Sequence, residues 1–109
     1  MYRAAILFFL LASYAFGQTS LGTITGSVVD SSGGAVPGAA ILVTNTETGA
    51  ARKLVTDGAG NFTAPSMLPG LYSIAVEAKG FGKQVRTGVR LPVNEVIHVP
   101  VSLEVGEVR

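Results

Sequence analysis

The chain has 109 residues, no cysteine and no tryptophan, with 14 glycines, 14% charged residues and a formal net charge of +1. That length supports one domain, and the missing cysteines exclude disulfides and a lipidated N-terminal cysteine. Sparse charge with abundant Gly and Thr points to short strands and tight turns rather than helices.

Met1 to Gly17 reads as a secretory signal peptide. Arg3 forms a one-charge start, Ala4 to Leu11 an apolar stretch, and Ala15-Phe16-Gly17 supplies small residues for cleavage before Gln18. A membrane anchor is the rival reading, but the apolar run falls well short of the roughly 20 residues needed to cross a bilayer. Removing the leader removes Arg3 alone, leaving 8 − 1 = 7 basic residues against 7 acidic ones. A formally neutral mature chain gives no reason to expect nucleic acid as a partner, and it contains no membrane span.

Gln18 to Leu21 is a short polar lead. Gly22 to Asp30 alternates as a strand, with Ile24, Gly26 and Val28 on one face and Thr23, Thr25 and Ser27 on the other. A glycine on the apolar face of a strand often marks a close approach, so an aromatic ring, Phe62 or Tyr72, is expected over Gly26. Ser31 to Gly34 is a loop, and Val36-Pro37-Gly38-Ala39 a turn of type II character. Ala40 to Asn45 is the next strand, with Ile41 and Val43 facing one way. A Thr46-Glu47-Thr48-Gly49 hairpin loop leads into a strand over Arg52 to Thr56, with Leu54 inside and Lys53 and Val55 outside.

The stretch from Thr56 to Tyr72 is a double corner. Asp57-Gly58 and Gly60-Asn61 are turn dipeptides, since Gly accepts positive φ and Asp and Asn bond to nearby backbone. Phe62 between Asn61 and Thr63 suits a short half-buried strand. Leu68-Pro69-Gly70 is the second corner. Leu-Pro-Gly-x-Tyr resembles a tyrosine corner, in which the phenol of Tyr72 bonds back to upstream backbone; a half-buried Tyr72 with its hydroxyl in water is the alternative. Leu71 to Lys79 is the clearest strand, with Tyr72, Ile74, Val76 and Ala78 sharing a face, and Gly80-Phe81-Gly82 breaks it. Lys83 to Arg90 follows, with Val85 and Val89 inward and Gln84, Arg86 and Arg90 outward. After a turn at Pro92-Val93-Asn94, Glu95 to Glu104 puts Ile97, Val99, Val101 and Leu103 on one face. Pro100 cannot donate to a ladder, which predicts an edge strand or a bulge there. About seven short strands with a turn signal between neighbours are the pattern of a β-sandwich.

Five motifs stand in order: Gly22-x-Ile24-x-Gly26-x-Val28, Val36-Pro37-Gly38-Ala39, Thr56-Asp57-x-x-Gly60-x-Phe62, Leu68-Pro69-Gly70-x-Tyr72 and Gly80-Phe81. Each is weak alone; together, at these gaps, they resemble the carboxypeptidase regulatory-like domain over Gly22 to Gly106. The resemblance implies an all-β fold, a seven-stranded antiparallel Greek-key β-sandwich of transthyretin-like, carbohydrate-binding-like type. It implies an accessory module with no catalytic residues and no cofactor. In bacteria such modules often follow the signal peptide of TonB-dependent outer-membrane receptors, which implies export to the periplasm or outer membrane. An extracellular location is the alternative. The expected partners are neighbouring receptor domains or another protein, met at exposed strand edges by strand addition. Carbohydrate is the alternative ligand. Ser102 to Val108 looks like the end of the module running into a receptor, with residues 107–109 as its tail. A truncated or separately encoded module, or a piece of a larger receptor, is expected.

No reactive centre competes with this reading. His98 is the single histidine, placed on the outer face of the last strand, and a metal site needs several converging ligands. Asp57 to Asn61 fails as a calcium loop, because Ala59, Phe62 and Leu68 occupy positions that need ligands or glycine. No Gly-x-Ser-x-Gly elbow occurs. Asn61-Phe62-Thr63 matches a glycosylation acceptor, read as incidental in a bacterial protein. Lys79, Lys83, Arg86 and Arg90 form a basic strip, read as a solvated face. A sugar platform needs an exposed aromatic, and of Phe62, Tyr72 and Phe81 only Phe81 and its loop offer one.

Overall fold

The computed structural model describes residues 20–106, so the leader at Met1–Gly17 and the tail at 107–109 lie outside the described residues. Seven strands follow in chain order: β1 (Gly22–Asp30), β2 (Ala40–Asn45), β3 (Ala51–Val55), β4 (Asn61–Met67), β5 (Gly70–Glu77), β6 (Gln84–Leu91) and β7 (Val96–Leu103). They form a sandwich of a three-stranded sheet, β4-β1-β7, and a four-stranded sheet, β3-β2-β5-β6. Every pair is antiparallel except β1 with β7, which runs parallel. Strand ends differ from the sequence reading by a residue or two, as fraying ends do.

Alternation places the core. Ile24 and Val28 of β1, Ile41 and Val43 of β2, Phe62 and Ala64 of β4, Tyr72, Ile74 and Val76 of β5, and Val101 and Leu103 of β7 are all buried. Side chains two apart share a face, so each strand sends one set between the sheets. Gly26 occupies the middle of β1, where the ring of Phe62 crosses it. A Cβ built on Gly26 would stand 2.0 Å from Cζ of Phe62 and 2.7 Å from the carbonyl oxygen of Val99.

The turns are closed by side chains. Gly38 takes φ +71° in the Pro37-Gly38 turn, and the buried Thr56 hydroxyl clamps that turn. Thr56 Oγ1 accepts from Ala39 N–H at 2.8 Å and donates to the Val36 carbonyl at 2.7 Å. Asp57 Oδ1 accepts from the backbone of Ala59 and Asn61, both at 2.9 Å. Gly60 sits beside this loop at φ +78°, with the Val28 carbonyl 2.6 Å from where a Cβ would lie. Asp30 does similar work after β1. Its Oδ1 accepts from the Ser32 hydroxyl at 2.6 Å and from Ser32 and Gly34 N–H at 2.9 Å. These donors, the Ser32 hydroxyl foremost, hold the Asp30 carboxyl below the usual carboxylate range. Asn45 Oδ1 caps the β2–β3 hairpin by accepting from Glu47 and Thr48 N–H.

Tyr72 is buried, and its hydroxyl donates to the Leu68 carbonyl at 2.6 Å. This is the tyrosine corner, and it fastens the Pro69-Gly70 bend to the start of β5. Tyr72→Phe should leave the carbonyl without its donor and lower stability by about 1–2 kcal/mol. Urea denaturation measures it, and an unchanged midpoint would remove the corner from the account.

Two strands depart from the sequence reading. β4 runs on through Pro65 to Met67, longer than the short strand expected around Phe62. Its pairing with β1 slips by one residue between Ala64 and Met67, and Ser66 there adopts φ 58°. β4 is an edge strand, so Pro65 can point its missing N–H away from β1 without losing a ladder bond. In β6, Val85 is exposed rather than inward. Tyr72 pairs with Val89 but Ile74 pairs with Arg86, which leaves one extra residue in β6 beside Gly88 at φ +66°. Such a bulge reverses the parity of every residue beyond it. Val85 therefore joins Ala75 on the outer face, and Arg86 leaves the face that Arg90 occupies.

Candidate contact surface at the strand edges

Apart from Pro100, which is exposed on β7, the glycines, prolines and aromatics singled out in the sequence lie in turns, strands or core. Phe62 and Tyr72 are buried, and Phe81 packs half-buried against the core. Phe81 bridges to Val105, with Gly82 N–H on the Glu104 carbonyl and Gly106 N–H on the Gly80 carbonyl, so the Gly80-Phe81 turn grips the chain after β7. His98 lies exposed on β7. Its Nδ1 is 3.2 Å from Thr25 Oγ1 and its Nε2 3.3 Å from Ser27 Oγ. Among the described residues no three His, Asp or Glu side chains converge as metal ligands. The basic strip does not act as a unit: Lys83 pairs with Glu77 at 3.3 Å, and Arg86 turns toward β7.

The arrangement can offer protein contacts, and its edges decide where. Thr23 N–H bonds to the Glu95 carbonyl, and register carries that parity along the β1–β7 pair. Ile97, Val99, Val101 and Leu103 therefore bond to β1, while His98, Pro100 and Ser102 turn their backbone groups to the free side. Pro100 has no N–H to offer there, and its carbonyl accepts from Arg86 Nη2 of β6 at 3.0 Å. The opposite side repeats the device. Val28 N–H bonds to the Gly60 carbonyl, so Phe62 and Ala64 face β1 while Asn61, Thr63 and Pro65 face outward. The Pro65 carbonyl accepts from Arg52 Nη1 of β3. Each edge of the three-stranded sheet thus carries a proline whose carbonyl is capped by an arginine from the other sheet. Sequence reasoning marked Pro100 as an edge residue but neither arginine, because each pair joins residues 13 or 14 apart across two sheets.

The four-stranded sheet is more open. Ala39 and Asn45 bond across to Thr56 and Ala50, which fixes Arg52 and Leu54 toward β2. Ala51, Lys53 and Val55 consequently present their N–H and C=O groups to solvent. On the outer face of this sheet, register lines Lys53, Leu42, Ala75 and Val85 into one row. Leu42, Val55 and Val85 are exposed at 36%, 67% and 49%. A shallow cleft there is lined by Leu42, Lys53, Val55, Ala75, Glu77 and Lys83.

Comparison with known proteins fits this geometry. The carboxypeptidase regulatory-like domain family matches residues 23–104. The TonB-dependent transporter Oar of Myxococcus xanthus is 36% identical over 96 residues, which span 86% of this chain and 9% of that transporter. Among solved structures, the TIE protein of Bacillus anthracis superposes with a TM-score of 0.68 at 17% identity, over 79% of this chain and 17% of that one. A candidate carbohydrate-binding protein of Bacteroides uniformis gives 0.63 at 17% identity, over 77% and 41%. Hydroxyquinol 1,2-dioxygenase of Pseudomonas putida gives 0.66 at 11% identity, over 84% and 58%. Likeness at such identities is likeness of fold.

Proposed function

Because this chain belongs to the carboxypeptidase regulatory-like domain family, we propose that it is an exported, non-catalytic accessory module of a TonB-dependent outer-membrane receptor. It acts by protein contact at its exposed strand edges. The observation that carries this reading is the identity to a TonB-dependent transporter over nearly the whole sandwich. Two further features support it. Met1 to Gly17 has the composition of a leader, and the charged and aromatic residues of the sandwich are spent on turns, core and edge capping rather than gathered into a reactive cluster.

The module sits in the cell envelope, in the periplasm or at the outer membrane, beside the rest of its receptor. Contact is favoured over sugar binding by the burial of Phe62 and Tyr72 and by the packing of half-buried Phe81 against the core, which leaves no fully exposed ring among the three to stack on a pyranose. The test is expression of the full chain in a bacterial host, followed by envelope fractionation, intact-mass measurement and chemical cross-linking. The expected result is an envelope-located chain beginning at Gln18 and cross-linked to a receptor of the TonB-dependent type. A chain retained in the cytoplasm with Met1 in place, or one that forms no receptor adduct, would overturn it.

A further inference from the structure

We propose that the free edge of β3 is where this module receives its partner, as one added strand. The incoming segment carries an acidic residue opposite Lys53 and aliphatic residues opposite Ala51 and Val55. The inference rests on the contact reading above and narrows it to one edge and one kind of segment.

The choice of edge follows from elimination by physical chemistry. A strand can be added only where alternating N–H and C=O groups are unpaired and the backbone is regular. β4 and β7 each break that row with a proline on the outward register, and Arg52 and Arg86 occupy the carbonyls of those prolines. β6 is interrupted by the bulge beside Gly88, which twists an edge away from flat pairing. β3 has neither proline nor bulge, and it pairs with β2 residue for residue from Ala51 to Val55.

The chemistry of the partner follows from the side chains on that register. In antiparallel addition, residues opposite Ala51, Lys53 and Val55 stand on the outer face beside them. Lys53 makes no ion pair among the described residues, so a carboxylate opposite it gains a charge partner. Val55 is 67% exposed, and with Leu42 it forms the near wall of the outer-face cleft, so aliphatic neighbours there extend an apolar surface already present. A second copy of this chain is disfavoured. Two β3 edges in full antiparallel register would set Lys53 directly against Lys53, and like charges opposite one another oppose pairing. The segment therefore comes from another polypeptide, with the pattern aliphatic-x-acid-x-aliphatic.

The experiment selects a displayed library of random nonapeptides against the purified full chain. Enriched peptides are then synthesised and followed by amide hydrogen exchange. The expected result is enrichment of the stated pattern, with slowed exchange at Ala51, Lys53 and Val55 and none at Thr63, Val85 or His98. Lys53→Glu should weaken these peptides at least tenfold and shift selection toward a basic residue at the central position. Lys53 is exposed, so its reversal leaves the fold intact and denaturation midpoints should match. Enrichment of peptides that protect β4, β6 or β7, indifference to Lys53→Glu, or no enrichment at all would each overturn the edge assignment. None of those outcomes touches the contact reading, which stands or falls with the receptor adduct.

Discussion

Gly26→Ala should destabilise the sandwich by about 3 kcal/mol or more, the combined effect of overpacking and of displacing a core aromatic. The added Cβ has no empty space to enter. Its nearest neighbours would be Cζ and Cε1 of Phe62 at 2.0 and 2.2 Å and the Val99 carbonyl oxygen at 2.7 Å. Phe62 is 3% exposed and rigid beyond χ2, so it cannot swing into solvent as a long flexible side chain would. The Val99 carbonyl is a ladder acceptor of the β1–β7 pair, so moving it strains the sheet itself. An alanine normally stabilises relative to glycine by about 0.4–1 kcal/mol through the unfolded chain, and here that gain is overwhelmed. For a domain of this size, about 3 kcal/mol corresponds to a drop of roughly 12–24 °C in Tm.

A double-mutant cycle identifies the ring as the cause. Phe62→Leu in the Gly26→Ala background should recover part of the loss, although Phe62→Leu alone should destabilise. A Gly26→Ala chain that melts within a degree or two of the parent would mean that the ring does not press on β1. Equal losses for Phe62→Leu in both backgrounds would trace the strain to the Val99 carbonyl instead.

Thr56→Val should lower stability by about 2–4 kcal/mol, although it keeps the shape and adds a methyl group. The hydroxyl it removes serves two backbone groups in the Val36–Ala39 turn: the Ala39 N–H as acceptor and the Val36 carbonyl as donor. Both residues are buried, Ala39 at 0% and Val36 at 6% exposure, so water cannot replace the lost partner. Leaving a buried donor or acceptor unpaired costs about 1–3 kcal/mol for each group. The backbone bonds from Thr56 N–H to Ala39 and from Gly38 N–H to Thr56 remain, so the loss should stay local. Thr56→Ser keeps the hydroxyl and loses only a methyl, about 1 kcal/mol. The ordering Ser above Val in chemical denaturation is the discriminating result. Equal losses would assign the effect to packing and remove the clamp.

Much of this protein could be read from residues that act on their immediate neighbours. Side chains alternate with period two along any extended strand, so Ile41 and Val43, or Tyr72, Ile74 and Val76, declare a common face before any partner is known. Glycine and proline fix turns through their own φ, which is why Pro37-Gly38, Asp57 to Gly60 and Pro69-Gly70 were legible, and with them the Tyr72 corner. Three features depended on the packed sheets. The inward or outward sense of Val85 and Arg86 reversed because a bulge at Gly88 exists only relative to β5. The hold of Thr56 on the Pro37 turn joins residues 17 and 20 apart, a contact no local pattern announces. Edge status belongs to a strand's neighbours rather than to its composition. Only the assembled sandwich could therefore decide that Arg52 and Arg86 cover prolines while the backbone of Ala51, Lys53 and Val55 finds no partner among the described residues.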